Sequence, residues 1–211
     1  MPTRIKVCGV RTPEAVFAAA DAGADAVGFV FHPKSVRFVE PEDAWELVNL
    51  LPPFVASVGL FVDADIEKFM ELEELCPTTI SQLHGQEDVE LVRQCGPGVI
   101  KAIRFDAATI RAELARWEAV DELDAILVDG SSGGGGLAFD WKRLADELAE
   151  IAKPVILAGG LTPENVGEAI RLTGAQQVDV SSGVESRPGE KDPARIAAFV
   201  RAAHAAERTL A

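Results

Sequence analysis

Eight times along this chain a short apolar run gives way to a longer amphipathic one, at a spacing of about 20 to 35 residues, the pattern of successive βα units on a parallel sheet. Strand-like runs cover 4–9, 26–31, 55–62, 79–84, 99–104, 125–129, 154–158 and 177–181. Helix-like runs cover 14–22, 41–51, 66–75, 87–95, 108–120, 141–151, 163–172 and 193–206. Several helices carry clear starts: Thr12-Pro13, Pro41-Glu42-Asp43 and Thr162-Pro163-Glu164 each place a proline or an acidic residue in a first turn. Eight units in 211 residues, with no linker, predict a single-domain (β/α)8 TIM barrel over 1–211 rather than an open doubly wound sheet.

A barrel of this kind carries its chemistry at the C-terminal ends of its strands. Polar residues at those ends are Cys8 on the first strand, Gln82 and His84 on the fourth, Asp129 on the sixth and Asp179 on the eighth. Strand side chains alternate, so Lys6 shares a face with Cys8, Gln82 with His84, and Leu127 with Asp129. If Cys8 points inward, Ile5 and Val7 pack under the helices. Cys8 reads either as a packed core thiol or as a base whose ionisation is favoured by nearby donors. Asp129, after Ala125-Ile-Leu-Val128 and before Gly130, reads either as a turn carboxylate or as a desolvated general acid.

Two small-residue turns follow the last two strands. Gly159-Gly160 precedes the Thr162-Pro163 helix start, and Ser181-Ser182-Gly183 follows Val178-Asp179-Val180. Adjacent loops of backbone N–H and hydroxyl donors after strands 7 and 8 read either as a phosphate cup or as two ordinary turns. The loop from Ser131 to Gly136 is too glycine-rich for a tight turn and reads as a cover over the site or as a plain surface connection. It is not a P-loop, and no GxGxxG opens a helix after the first strand. Arg37, in a basic loop after the second strand, offers a planar fork for a carboxylate.

Composition excludes several classes. Twenty Lys and Arg against 34 Asp and Glu give a net charge of −14, which repels nucleic acid and anionic membrane surfaces, so an anionic substrate must be held by a local site. No apolar run has membrane-spanning length, and the N-terminal MPTRIKVCG lacks the apolar core of a signal peptide, which predicts a cytoplasmic protein. Three widely spaced cysteines form no disulfide framework, and no CxxC or HxxxH spacing indicates zinc; neither metal nor cofactor is expected.

Lys6-Val-Cys-Gly9, Gly28-Phe-Val-Phe31 with Lys34-Ser35 and Arg37, Gln82-Leu-His-Gly85, Phe139-Asp-Trp141, Leu157-Ala-Gly-Gly-Leu161 and Val180-Ser-Ser-Gly-Val-Glu185 resemble, in order and over nearly the whole chain, the phosphoribosylanthranilate isomerases of tryptophan biosynthesis. The resemblance implies a cofactor-free Amadori rearrangement of a small phosphorylated substrate by a monomer or homodimer. It further implies Asp129 as general acid, Cys8 as general base and Arg37 as the residue meeting the anthranilate carboxylate. Gln82, His84 and Asp179 match positions lining the substrate, and Gly159, Gly160, Ser181, Ser182 and Gly183 match the phosphate turns. Two positions depart from the family: Gly135 stands where a threonine is usual, and Val36 where a proline is. The rival readings are a related phosphosugar isomerase, such as the bifunctional enzyme that also serves histidine biosynthesis, and a non-catalytic barrel binding a phosphorylated metabolite. The former uses two aspartates and holds two phosphates, whereas here the first strand offers Cys8 and one cup is evident.

Overall fold

The computed structural model describes residues 3–130 and 140–207. Within them eight parallel strands close into a barrel in chain order. They are β1 (Arg4–Cys8), β2 (Ala26–Val30), β3 (Ala56–Phe61), β4 (Ile80–Leu83), β5 (Val99–Arg104), β6 (Leu123–Asp129), β7 (Val155–Ala158) and β8 (Gln177–Val180). The helices are α1 (Pro13–Ala22), α2 (Pro41–Val48), α3 (Ile66–Leu75), α4 (Val89–Cys95), α5 (Ile110–Glu118), α6 (Trp141–Leu148), α7 (Val166–Thr173) and α8 (Pro193–Glu207). The ring closes where β8 pairs with β1, which sets Lys6 directly beside Asp179. The glycine-rich loop and Phe139 lie outside the described residues.

Strand alternation divides the apolar residues into two layers. Ile5, Val7, Val27, Phe29, Phe61, Leu83, Val178 and Val180 face outward and pack with Val16, Leu114, Trp117, Leu144, Ile170 and Phe199 of the helices, forming the main core. Burial of each such large side chain contributes about 1.5–3 kcal/mol, so this annular layer is the principal source of stability. Inside the barrel, Ile100, Ala102, Ala125, Leu127, Ile156 and Ala158 form a second cluster on the arc of β5 to β7. Lys6, Gln82 and Asp179 are buried on β1, β4 and β8. The interior is therefore apolar on one arc and polar on the other.

Short polar side chains at the strand-to-helix junctions explain several helix starts. Thr12 caps α1 by accepting from Ala15 N, and Asp65, Asp88 and Asp140 cap α3, α4 and α6 in the same way. Three details differ from the sequence reading. Helix α4 begins at Val89 rather than at 87, because the Glu87 carboxylate is drawn back to the loop, where it accepts from the backbone N–H of Asp63 and Gly85 and from Lys101 Nζ. Helix α7 begins at Val166 rather than at 163, after a turn. In that turn Thr162 N donates to Asn165 Oδ1 while Thr162 Oγ1 accepts from Glu164 N, so the threonine still opens the helical segment, one turn early. Between β8 and α8, outside the predicted strands and helices, the chain also makes a 3₁₀ turn (Ser182–Val184) and a hairpin of β9 (Glu185–Arg187) and β10 (Glu190–Lys191). Among the described residues no helix is long and apolar enough to cross a membrane.

Candidate active site

A cavity of about 930 Å³ opens at the C-terminal mouth of the barrel. Cys8, Arg37, His84, Asp129, Gly159, Gly160, Asp179, Ser181 and Ser182 all line it. Of the remaining sequence candidates, Gln82 lies beneath His84, and Gly183 lies behind the cup. Groups drawn from six strand ends, up to 174 residues apart in sequence between Cys8 and Ser182, thus share one space.

The cup is built by contact between two turns. Gly159 and Gly160 have φ of 88° and 67°, in the left-handed region that glycine reaches without steric cost. Gly183 presses against the carbonyl of Leu161 so closely that a Cβ there would stand 1.9 Å from the oxygen. Asn165 Nδ2 secures the first turn by donating to Gly160 O. Ser182 is exposed at the start of the 3₁₀ turn, where backbone N–H groups have no intrahelical partner. Ser181 also lines the cavity. Its hydroxyl donates to Cys8 O at 3.0 Å, so it ties β8 to β1 rather than presenting its proton to an anion.

Arg37 is held from behind. Its Nε and Nη2 donate to the two oxygens of Glu185 at 2.7 and 2.8 Å, and the same carboxylate receives Lys191 Nζ at 2.8 Å. Lys191 also donates to Ser181 O at 3.0 Å, joining the arginine to the second phosphate turn. Arg37 N donates to Ser35 Oγ and Arg11 Nη1 to Val36 O, so the loop is pinned despite valine at position 36. Burial alone would raise Glu185, but the hydrogen bonds from Arg37 and Lys191 prevail and hold its carboxyl below the ordinary glutamate value. Burial depresses Lys191, against the pull of Glu185. Neither Lys191 nor Asn165 was singled out in the sequence. Lys191 sits in no motif, and only the hairpin brings it under Ser181.

At the base of the cavity Lys6 Nζ donates to Asp179 Oδ1 at 2.9 Å, with both side chains nearly inaccessible. One Asp179 oxygen is therefore occupied by the barrel itself. Cys8 lies directly above, packed with Val30 and Leu60. Burial pushes the Cys8 thiol up, and Lys6 and Lys191 only partly oppose this while Asp179 adds to it. Loss of hydration outweighs the cations at this depth. Across the mouth, Gln82 Nε2 and His84 Nδ1 are 2.8 Å apart, and His84 Nε2 lies 3.3 Å from Asp129 Oδ2. Gln82 Oε1 is buried without a partner, so the amide can meet Nδ1 as donor or, turned over, as acceptor, and the His84 tautomer is set by which of the two it is. Among the described residues no group of three or more side chains is arranged to bind a metal.

Comparison with known proteins gives a consistent result. The family model described as N-(5'phosphoribosyl)anthranilate (PRA) isomerase matches residues 5–202. A curated N-(5'-phosphoribosyl)anthranilate isomerase of Neisseria gonorrhoeae is 45% identical over 210 residues, covering 97% of this chain and 98% of its own. The crystal structure of the Thermotoga maritima phosphoribosyl anthranilate isomerase is similar with a TM-score of 0.87 and 39% identity, covering 95% of this chain and 98% of its own. Another phosphoribosyl anthranilate isomerase structure, solved in complex with reduced 1-(o-carboxyphenylamino)-1-deoxyribulose 5-phosphate, is similar with a TM-score of 0.82 and 38% identity, covering 95% and 98%.

Proposed function

The chain belongs to the N-(5'-phosphoribosyl)anthranilate isomerase family and isomerises N-(5-phosphoribosyl)anthranilate to 1-(2-carboxyphenylamino)-1-deoxyribulose 5-phosphate in tryptophan biosynthesis, and we propose that Cys8 and Asp129 divide its proton transfers. The observation that carries this assignment of roles is the shared cavity, with Cys8 at the end of β1, Asp129 at the end of β6, and the β7 and β8 turns beside them. The substrate phosphate binds at Gly159, Gly160, Ser182 and Gly183, where backbone donors converge. The anthranilate carboxylate meets Arg37 at Nη1, since Nε and Nη2 are committed to Glu185. These two anchors hold the ribose across the barrel mouth, between acid and base.

Asp129, as the carboxylic acid, delivers its proton to the furanose oxygen. The C1–O bond breaks, and the nitrogen lone pair forms an iminium with C1. The Cys8 thiolate then removes the C2 proton, becoming the thiol. The electron pair of that C–H bond becomes the C1–C2 double bond of an enolamine, which tautomerises to the ketone. The remaining oxygen of Asp179 and the edge of His84 line the path of the sugar.

Asp129→Asn keeps the shape but removes the transferable proton, so turnover should fall by about 10²–10⁴ with the Michaelis constant little changed. Cys8→Ser should lose comparable turnover, because a hydroxyl is hardly ionised near neutrality. Near-native turnover by either variant, with a native circular dichroism spectrum, would remove that residue from the chemistry. Inorganic phosphate or a product analogue found away from the β7 and β8 turns in a co-crystal would remove the cup.

A further inference from the structure

Charged groups from several elements gather around Cys8. Lys6 and Asp179 come from β1 and β8, Arg37 from the loop after β2, and Glu185 and Lys191 from the hairpin. Lys6 and Asp179 pair at the base of the cavity, and Lys191 donates to the Ser181 hydroxyl that in turn donates to Cys8 O. Glu185 joins two of these cations through its own ion pairs. Lys6 pairs with Asp179 and Lys191 with Glu185, while Arg37, which shares Glu185, is 23% accessible and turned to the substrate carboxylate. The neighbouring face of β2 contributes Gly28 and Val30, which carry no charge.

Lys6 is the closest of these cations to being dedicated to the sulfur. A Cβ on Gly28, the residue paired with Cys8 on β2, would lie 2.9 Å from Cys8 Sγ and 3.2 Å from Lys6 Cε. The sulfur and the end of the lysine side chain therefore occupy one small space that only glycine leaves open. Asp179 Oδ1 fixes the ammonium there, at 2.9 Å. Lys191, by contrast, spends its donors on Glu185 and Ser181.

We propose that Lys6 is the positioning residue for Cys8: its ammonium, held beneath the sulfur by Asp179, stabilises the thiolate that takes the C2 proton, and Asp179 contributes to turnover largely through Lys6. Arginine cannot replace it without displacing Gly28 or the sulfur, because a planar guanidinium needs more width than an ammonium. This proposal rests on the reading of Cys8 as the base, and its test is independent of turnover.

The test is the rate of Cys8 alkylation by iodoacetamide in the free protein as a function of pH, followed by peptide mass spectrometry, with Cys76 and Cys95 as internal comparators. Both comparators are buried on the helix side and pushed up to about 11 by burial. Lys6→Met should shift the Cys8 inflection upward by about one pH unit or more and lower its alkylation rate near neutrality tenfold or more, leaving Cys76 and Cys95 unchanged. If Lys6→Met fails to fold because Asp179 is left buried without its partner, Lys6→Gln, which removes the charge but keeps an amide donor for Asp179 Oδ1, is the decisive variant. An unchanged Cys8 profile in whichever of these folds would overturn the proposal. Retention of turnover by Cys8→Ser would instead overturn the base assignment, and the two failures are separate measurements.

Discussion

The two sides of the barrel mouth are built on opposite principles. On the side of β1 and β8, Lys6, Asp179, Glu185 and Lys191 have side chains no more than 9% accessible, and each is engaged in an ion pair. Opposite, at β4 and β6, His84 and Asp129 are 30% and 21% accessible. The proposed base thus sits in a sealed, cross-braced charge cluster, and the proposed acid at an open rim. The difference suits the two tasks. A thiolate is stabilised by fixed counter-charge where water cannot supply it, whereas a partly exposed carboxyl exchanges its proton directly with solvent. The sealed side also carries the joint between β8 and β1 that closes the ring, so it combines structural and chemical roles.

This contrast is breakable by substitution. The largest effect on stability should come from Glu185→Ala, which leaves Arg37 and Lys191 facing each other without their shared carboxylate. A loss of about 3 kcal/mol in unfolding free energy is expected, at the lower end for a broken buried pair because Arg37 is partly exposed. Denaturant titration checks it, and a loss below about 1 kcal/mol would mean that the sealed side is not braced by this carboxylate. The same residue sets an acid limit. Because its carboxyl is lower in the folded protein than in the unfolded chain, its contribution is complete above the ordinary value of about 4.3 and disappears as pH falls through the depressed folded value. The acid sensitivity of wild-type stability in that window should be reduced in Glu185→Gln.

Arg37→Met should weaken substrate binding by about 1.5–3 kcal/mol, seen mainly in the Michaelis constant, with some loss of stability as Glu185 loses one of its two partners. Collapse of turnover at an unchanged Michaelis constant would place Arg37 in the chemistry instead. Gly183→Ala forces a methyl group into the Leu161 carbonyl and should cost about 1–3 kcal/mol of stability by overpacking. Protection of the variant by inorganic phosphate against thermal unfolding should be lost as well. Undiminished protection would show that the contact between the two turns does not shape the cup.

On the open side the effect should be smallest. His84→Asn leaves stability within about 1 kcal/mol of wild type, since the residue is partly exposed, Asp129 remains accessible to water and the new amide oxygen can still accept from buried Gln82. Turnover should fall about tenfold, through looser orientation of Asp129. A fall exceeding that of Asp129→Asn would exchange the two roles and make His84 the proton donor.

What the amino-acid sequence determined by itself is local and periodic. Alternation of side chains along β1 put Cys8 and Lys6 on one face and Ile5 and Val7 on the other, because the strand period is 2 wherever the strand is placed. The repeat of eight strand and helix runs sufficed for the barrel, and the family motifs marked most of the residues that line its mouth. Tertiary structure decided the electrostatics and the places where local signals compete. Arg37 meets Glu185 across 148 residues, and Lys6 meets Asp179 across 173, because ring closure brings β8 against β1 and the hairpin folds under the loop after β2. The sense of the Cys8 shift depends on burial weighed against those cations, and no run of letters around position 8 contains either quantity. The start of α4 moved for the same kind of reason. Glu87 has a good local place in a first turn, but a stronger one on Lys101 Nζ, 14 residues away and out of water.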